Sequence, residues 1–336
     1  FFLCVYISIL CLFLSCLSLS CMSSNKSKCF KFSRSSISLA PGLLKSIESR
    51  LKQLLKYRQA YDNVFTYSAF VNGQENYKTV IDNCKLPLPF IIGGSPAKPK
   101  EFPHMARLGF AQKGAKETDW FCGGVLISNK FVLTAAHCFH SPNGILNRVR
   151  VGELIFNTDT DDARPLEFDV LRYISHPQYK GDQLYNDIGL VELMHPANLS
   201  EYIAPACLPN TNGDNFERFI AVGWGATRFA RSDSNVLLKV TLERYDAELC
   251  GQFIEDSVRM PFGLDSNSQI CAGSTERRDA CHGDSGGPLL LVHNEFPCMH
   301  YVMGITSTGF GCGFANIPGI YTRVFYYRSW IEEIVW

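Results

Sequence analysis

Hydrophobic positions change their spacing twice along this chain. Residues 1–22 carry no charged side chain and form one apolar run, dominated by Leu, Ile, Phe, Val and Cys. Leu43, Leu44, Ile47, Leu51, Leu54 and Leu55 then recur at helical spacing, with Lys45, Glu48, Arg50, Lys52 and Lys56 between them. That pattern predicts one amphipathic helix of about four turns. From residue 91 the apolar runs become short and are broken by Gly, Asn, Asp and Pro. Strands are predicted over 121–136, 149–151, 188–193, 219–222, 237–242, 289–293 and 301–305. Only 326–336 reads as a helix there, with Trp330, Ile331, Ile334 and Val335 on one side. Many short strands and turns predict an all-β domain, barrel or sandwich.

These shifts divide the chain into 1–22, 23–90 and 91–336. The first segment is predicted to be a signal peptide, with small residues collecting near its end. A membrane anchor is the alternative for so apolar a run, but its serines and cysteines thin the hydrophobicity. The lack of an initiating Met and of a basic lead predicts that the true start lies upstream. Residues 23–90 read as a pro-segment, Ser- and Lys-rich and mobile over 25–38, then partly helical. It ends in an extended, Pro-punctuated linker, Cys84-Lys85-Leu86-Pro87-Leu88-Pro89-Phe90. The helix, although basic, is expected to pack on its own domain rather than on a membrane.

Composition narrows the compartment. Lys plus Arg equals Asp plus Glu, 32 against 32, which leaves no footprint for nucleic acid or an anionic membrane. Fourteen cysteines point to an oxidising environment. Loss of the signal would remove Cys4, Cys11, Cys16 and Cys21. Secretion also gives meaning to the sequons Asn25-Lys26-Ser27 and Asn198-Leu199-Ser200.

Three short patterns carry chemistry. Leu133-Thr134-Ala135-Ala136-His137-Cys138 closes a strand on a histidine. Tyr185-Asn186-Asp187-Ile188-Gly189-Leu190 sets an acid immediately before an apolar strand, which its neighbour Asp182 lacks. Asp279-Ala280-Cys281-His282-Gly283-Asp284-Ser285-Gly286-Gly287-Pro288 surrounds a serine with glycines. A serine hydroxyl needs a base to become a nucleophile; histidine serves near neutral pH, and a buried carboxylate fixes its tautomer. Glycines let backbone amides approach an attacked carbonyl, so Gly283 and Ser285 can donate to an oxyanion.

The order His, Asp, Ser within these patterns resembles the chymotrypsin-like (trypsin-fold) serine proteases. Four further runs carry the likeness: Ile91-Ile92-Gly93-Gly94, Pro205-Ala206-Cys207-Leu208-Pro209, Gly223-Trp224-Gly225 and Pro318-Gly319-Ile320-Tyr321-Thr322-Arg323-Val324. The resemblance implies two packed antiparallel β-barrels with a C-terminal helix, preceded by the short pro-segment. His137, Asp187 and Ser285 would be catalytic, with Gly283 and Ser285 forming the oxyanion hole. Asp279 would lie at the base of the substrate pocket, lined also by Ser307, Gly309 and Gly319. A carboxylate in a deep slot selects Arg or Lys. Thr308 stands where most relatives carry Trp, so the groove beyond that pocket is expected to be reshaped.

The resemblance also implies a zymogen. Cleavage between Phe90 and Ile91 would free an amino group to pair with Asp284 and order the oxyanion hole. Phe90 replaces the usual basic residue, so a trypsin-like enzyme should not activate this chain. That feature, with Glu101-Phe102-Pro103-His104-Met105 and Gly304-Ile305-Thr306-Ser307, is similar to the snake-type clip-domain proteases of arthropod cascades. Residues 23–90 hold only Cys29 and Cys84, too few for a clip domain. By resemblance the disulfides are Cys122–Cys138, Cys250–Cys271, Cys281–Cys312 and Cys84–Cys207, with Cys29 and Cys298 remaining. Expected partners are protein substrates such as a downstream zymogen, an upstream activating protease and serpin-type inhibitors, with no nucleic acid and no stable membrane association. No cofactor or metal is expected. The acidic loop 153–162 overlaps a calcium-binding segment of some relatives but is read as solvated. The competing readings are a non-cleaving homologue that scaffolds a cascade, and a venom or digestive protease.

Overall fold

The computed structural model describes residues 67–68, 78–79, 94–115, 117–225, 233–254, 258–274, 284–293, 299–309 and 317–336. It divides into two units, 1–79 with Trp336, and 80–335. In the first, β1 (Tyr67–Ser68) pairs antiparallel with β2 (Lys78–Thr79). The predicted signal peptide, the 43–55 helix and the 84–90 linker lie outside the described residues, as do Ile91, Cys29 and Cys298.

The second unit is built from antiparallel strands. In chain order they are β3 (Ser95–Pro96), β4 (Met105–Phe110), β5 (Asp119–Leu126), β6 (Phe131–Thr134), β7 (His140–Ser141), β8 (Gly144–Ile145), β9 (Arg148–Val151), β10 (Leu166–Ser175) and β11 (Gly189–Leu193). There follow β12 (Arg218–Gly223), β13 (Leu238–Arg244), β14 (Gln269–Gly273), β15 (Pro288–Val292), β16 (His300–Gly309) and β17 (Gly319–Arg323). Strands β10-β11-β6-β5-β4-β9 close a first barrel. Strands β12-β15-β16-β17-β14-β13 close a second through the β12–β13 pairing, and β3 adds to β13. This is the two-barrel, trypsin-like architecture.

Barrel closure removes the open edges a flat sheet would expose. The interior is filled by Leu108, Val125, Leu133, Val149 and Leu190 in the first barrel and Leu242, Leu289, Val302 and Ile320 in the second, all buried. The expected run 121–136 is two strands, β5 and β6, joined by a turn in which Ser128 Oγ accepts from Phe131 N at 3.0 Å. The C-terminal helix, α2 (Arg328–Val335), is present. It is not alone: α1 (Ala247–Ile254) contradicts the expectation of a single helix in this region. Its start is capped by Asp246, whose Oδ1 accepts from Leu249 N at 2.7 Å. The apolar pattern predicts none of β3, β4, β7, β8, β10, β14 and β17. Among the described residues, no helix is long and apolar enough to cross a membrane.

Between the barrels lie two buried imidazoles. His104 precedes β4 and His300 opens β16, with ring centroids 5.1 Å apart. Phe102 packs on His300 at 5.0 Å, and Lys239 Nζ reaches Glu101 Oε1 at 2.5 Å beside them. Burial, then the neighbouring His300, holds His104 well below the usual histidine value. Burial, followed by Lys239 and His293, lowers His300 to about 3. The unfolded chain therefore binds protons here that the folded chain does not. Stability from this pair is present above about pH 6.5 and is lost as pH falls below it. For His300 the loss is about 2 kcal/mol by pH 5. The melting temperature is expected to fall between pH 7 and 5, and His300→Phe to flatten that slope; an unchanged slope would contradict the assignment.

Candidate active site

The three sequence motifs converge on the cleft between the barrels. His137 sits in a 3-10 turn, Ala136–Phe139, that follows β6 and is half-buried. The turn is stapled to β5 by the Cys122–Cys138 disulfide. Closing a loop in the unfolded chain in this way is worth about 2–4 kcal/mol. A second disulfide, Cys250–Cys271, ties α1 to β14.

Asp187 is almost fully buried, 1% exposed, immediately before β11. Its Oδ2 lies 2.7 Å from His137 Nδ1, and its Oδ1 accepts from His137 N at 3.0 Å. Two contacts at one carboxylate fix the ring's rotation as well as its tautomer. Ser307 Oγ donates to Oδ2 at 2.6 Å, and Thr322 Oγ1 donates to the Asp187 carbonyl at 2.8 Å. Burial alone would push this carboxyl up; the charge of His137 and the hydrogen bonds from His137 and Ser307 outweigh it and hold the group below its usual value. Asn186 approaches in the left-handed region, φ 55°, and Tyr327 OH donates to its Oδ1 at 2.9 Å. The chain turns so sharply here that Ile188 N donates to Asn186 O at 2.8 Å.

Ser285 lies in the turn before β15. Its carbonyl accepts from Gly123 N at 2.7 Å, and Gly286 N donates to Thr306 O at 2.8 Å, so both barrels hold the turn. Gly286 has φ 76°, and a Cβ there would fall 2.2 Å from Thr134 Oγ1 and 3.0 Å from Cys138 Sγ. The same sulfur lies 3.6 Å from His137 Nε2. Histidine and nucleophile turn therefore meet over one disulfide, which only glycine at 286 permits.

Asp284 is held at the end of β12. Gly225 N donates to its Oδ1 at 2.8 Å, and a Cβ on Gly223 would come within 2.0 Å of that oxygen. Gly309 and Gly319, the expected pocket walls, pair across β16 and β17. A bulge at Ser307 takes it out of register with β17 between Thr306 and Thr308. The Ser307 side chain is committed to Asp187, a partnership the sequence did not indicate. Asp279, Gly283, Cys281, Cys312, Phe90 and Ile91 lie outside the described residues. Cys207 is buried beside β16, and its expected partner Cys84 is outside them too.

Among the described residues, one group has metal-ligand spacing: Cys122, His137 and Cys138. The two sulfurs are bonded to each other, so neither offers a thiolate. In the acidic loop, Glu153 pairs with Arg150 at 2.8 Å, and Asp161 Oδ2 accepts from Ile155 N at 3.0 Å.

A family model described as Trypsin matches residues 91–331. The Drosophila melanogaster protein named serine protease snk is 39% identical over 255 residues, which is 75% of this chain and 58% of that one. This chain thus spans less than two thirds of that relative's length. Phenoloxidase-activating factor 1 of Holotrichia diomphalia is 36% identical, covering 72% of this chain and 69% of its own. Among solved structures, neuropsin, a serine protease expressed in the limbic system of mouse brain, aligns with a TM-score of 0.59 and 30% identity. That match covers 73% of this chain and all of neuropsin, 100%.

Proposed function

The chain belongs to the trypsin family of serine proteases, and on that premise we propose that it is a secreted endopeptidase zymogen, cutting polypeptides after Arg or Lys once it is itself cut between Phe90 and Ile91. The observation that carries the reading is the buried Asp187 carboxylate, bound to both His137 Nδ1 and His137 N, with the Ser285 turn packed against the same Cys138 sulfur that His137 Nε2 approaches. In the reaction, Ser285 Oγ attacks the scissile carbonyl while His137 Nε2 takes its proton. The resulting oxyanion is held by the Gly283 and Ser285 amides, and Asp187 stabilises the imidazolium. His137 then protonates the leaving amine as the C–N bond breaks, leaving an acyl-enzyme. Water, deprotonated by the same nitrogen, attacks the ester and regenerates Ser285.

Asp279 supports the choice of Arg or Lys: by the family likeness it would stand at the base of the pocket, and Gly309 and Gly319 would leave its wall without a side chain to block a long cation. The apolar segment 1–22 and the fourteen cysteines support secretion. Phe90 places activation under a protease that accepts an aromatic residue. Downstream zymogens are the proposed substrates, and serpin-type inhibitors the proposed brake. A role in an extracellular cascade rests on the likeness to arthropod relatives.

The test is to produce the chain, cut it after Phe90, and profile peptide amides ending in Arg, Lys or Phe. Turnover should favour Arg and Lys, and Asp279→Ser should reduce that preference by about two orders of magnitude, the worth of a buried charge-assisted contact. A preference for Phe would sink the specificity. No turnover, with Ser285→Ala equally effective in a reconstituted cascade, would make the chain a scaffold instead.

A further inference from the structure

We propose that Arg107 is a positioning residue for the nucleophile, its buried guanidinium clamping the first barrel, through Asp233, to the segment that cages Asp284. This role rests on the endopeptidase reading and deepens it. A guanidinium withdrawn from water is costly unless it is paired. Arg107, on β4, is 2% exposed as a residue, and the triad makes no use of it. Its Nη2 forms an ion pair with Asp233 and lies 3.5 Å from the Trp120 carbonyl.

The direction of the side chain follows from the sheet register. Arg107 lies directly opposite Gly123 on β5. Cross-strand partners project to the same face. A Cβ on Gly123 would sit 3.0 Å from Gly287 Cα, and Gly123 N donates to the Ser285 carbonyl at 2.7 Å. Arg107 therefore shares the face on which the nucleophile turn rests. Asp233 belongs to the other side of the junction. Its neighbour Ser234 donates through N to the Trp224 carbonyl at 2.9 Å, and the next residue, Gly225, holds Asp284 Oδ1 at 2.8 Å. One ion pair thus joins β4, the strand paired with the one that holds Ser285, to the wall around Asp284.

Two charged devices then bias the same turn. The Ile91 ammonium acts only after the cut, whereas Arg107 and Asp233 act throughout. Removing the permanent one lowers the population of the ordered turn and makes activity depend more on the ammonium. The expected result is a lower kcat with little change in KM. Activity should also fail at a lower pH on the alkaline side, because less deprotonation suffices to release the turn.

The experiment uses the full chain cut after Phe90, with Arg107→Met, Arg107→Lys and Asp233→Asn beside the parent. It reads kcat, KM, the alkaline midpoint on an Arg-ended amide, and the melting temperature. Arg107→Met and Asp233→Asn should lose about tenfold in kcat, hold KM within about twofold, and shift the midpoint down by about half a pH unit or more. Arg107→Lys should recover part of the loss, since it keeps the charge without the fork. Unchanged kcat and midpoint with only a lower melting temperature would overturn the role and leave a structural ion pair. If Arg107→Met does not fold, Asp233→Asn decides, because its side chain is 39% exposed. A parent without turnover that Ser285→Ala abolishes would overturn the endopeptidase reading, and this role with it.

Discussion

Asp187→Asn is expected to lower kcat by about four orders of magnitude, the size of this exchange in the serine-protease triad, while leaving KM within a few-fold. The carboxylate is an acceptor three times over, from His137 Nδ1 at 2.7 Å, His137 N at 3.0 Å and Ser307 Oγ at 2.6 Å. An amide has one acceptor oxygen and two N–H donors. If the oxygen serves His137 N, the NH₂ group faces Nδ1 and Ser307. Nδ1 must then accept, which moves the imidazole proton to Nε2, the atom that has to take a proton from Ser285. Burial of the site at 1% exposure leaves no bulk water to repair the mismatch. The imidazolium formed during attack also loses its counter-charge. Ser307→Ala is the graded control: it removes one of several donors to the carboxylate and should cost about tenfold, the worth of a hydrogen bond to a charged group. Steady-state kinetics on an Arg-ended amide measure both. A loss smaller than tenfold in Asp187→Asn would remove Asp187 from the catalytic assignment.

How much of this site could be read from the sequence depends on how local each requirement is. Histidine beside Cys138, acid before an apolar strand, and serine among glycines are constraints satisfied within a few residues, so each leaves a motif. Strands β11 and β15 were legible for the same reason, as short, mostly apolar runs that are largely buried. Strand β10 left no such trace: Leu166 and Leu171 are 44% and 47% exposed, and the strand is held through its backbone to β9 and β11. Helix α1 is only 8 residues long and depends on the Asp246 cap and the Cys250 disulfide rather than on a long apolar face. Thr322 reaches Asp187 across 135 residues of chain, and Arg107 reaches Asp233 across 126. Partnerships of that span arise from barrel closure, and a linear pattern of residue types does not encode them.

Asp284→Asn should leave the cut enzyme about as inactive as the uncut chain, a loss on the order of 10²–10⁴-fold, because removing one partner of a buried ion pair costs about 3–5 kcal/mol. The cage around this carboxylate is tight. Gly225 N donates to Oδ1 at 2.8 Å, and Cβ atoms on Gly223 and Gly225 would fall 2.0 and 2.3 Å from the carboxylate. Its charge therefore has little room to turn elsewhere while the wall stands. On the proposed cut, the register of the second barrel leaves the new terminus a short tether from Asp284. Pro96 lies opposite Leu238, and Leu238 lies opposite Gly223, against which Asp284 packs. Ile91 is five residues upstream of Pro96, a tether of up to roughly 17 Å at about 3.3 Å per extended residue. Two strand spacings of about 4.8 Å separate Pro96 from Gly223, so a freed Ile91 amino group can arrive at Asp284. The pH dependence carries the sign of that pair. An α-amino group has an ordinary pKa near about 8, and pairing with a carboxylate raises it. Activity should therefore persist through neutral pH and fall as the ammonium deprotonates above that value. Asp284→Asn has no pair to lose, so its residual activity should show no such alkaline fall. A Phe90→Arg variant, cut by trypsin, supplies both proteins in the activated form. If cut Asp284→Asn retains a third or more of the parental kcat/KM, ordering of the oxyanion hole does not run through Asp284.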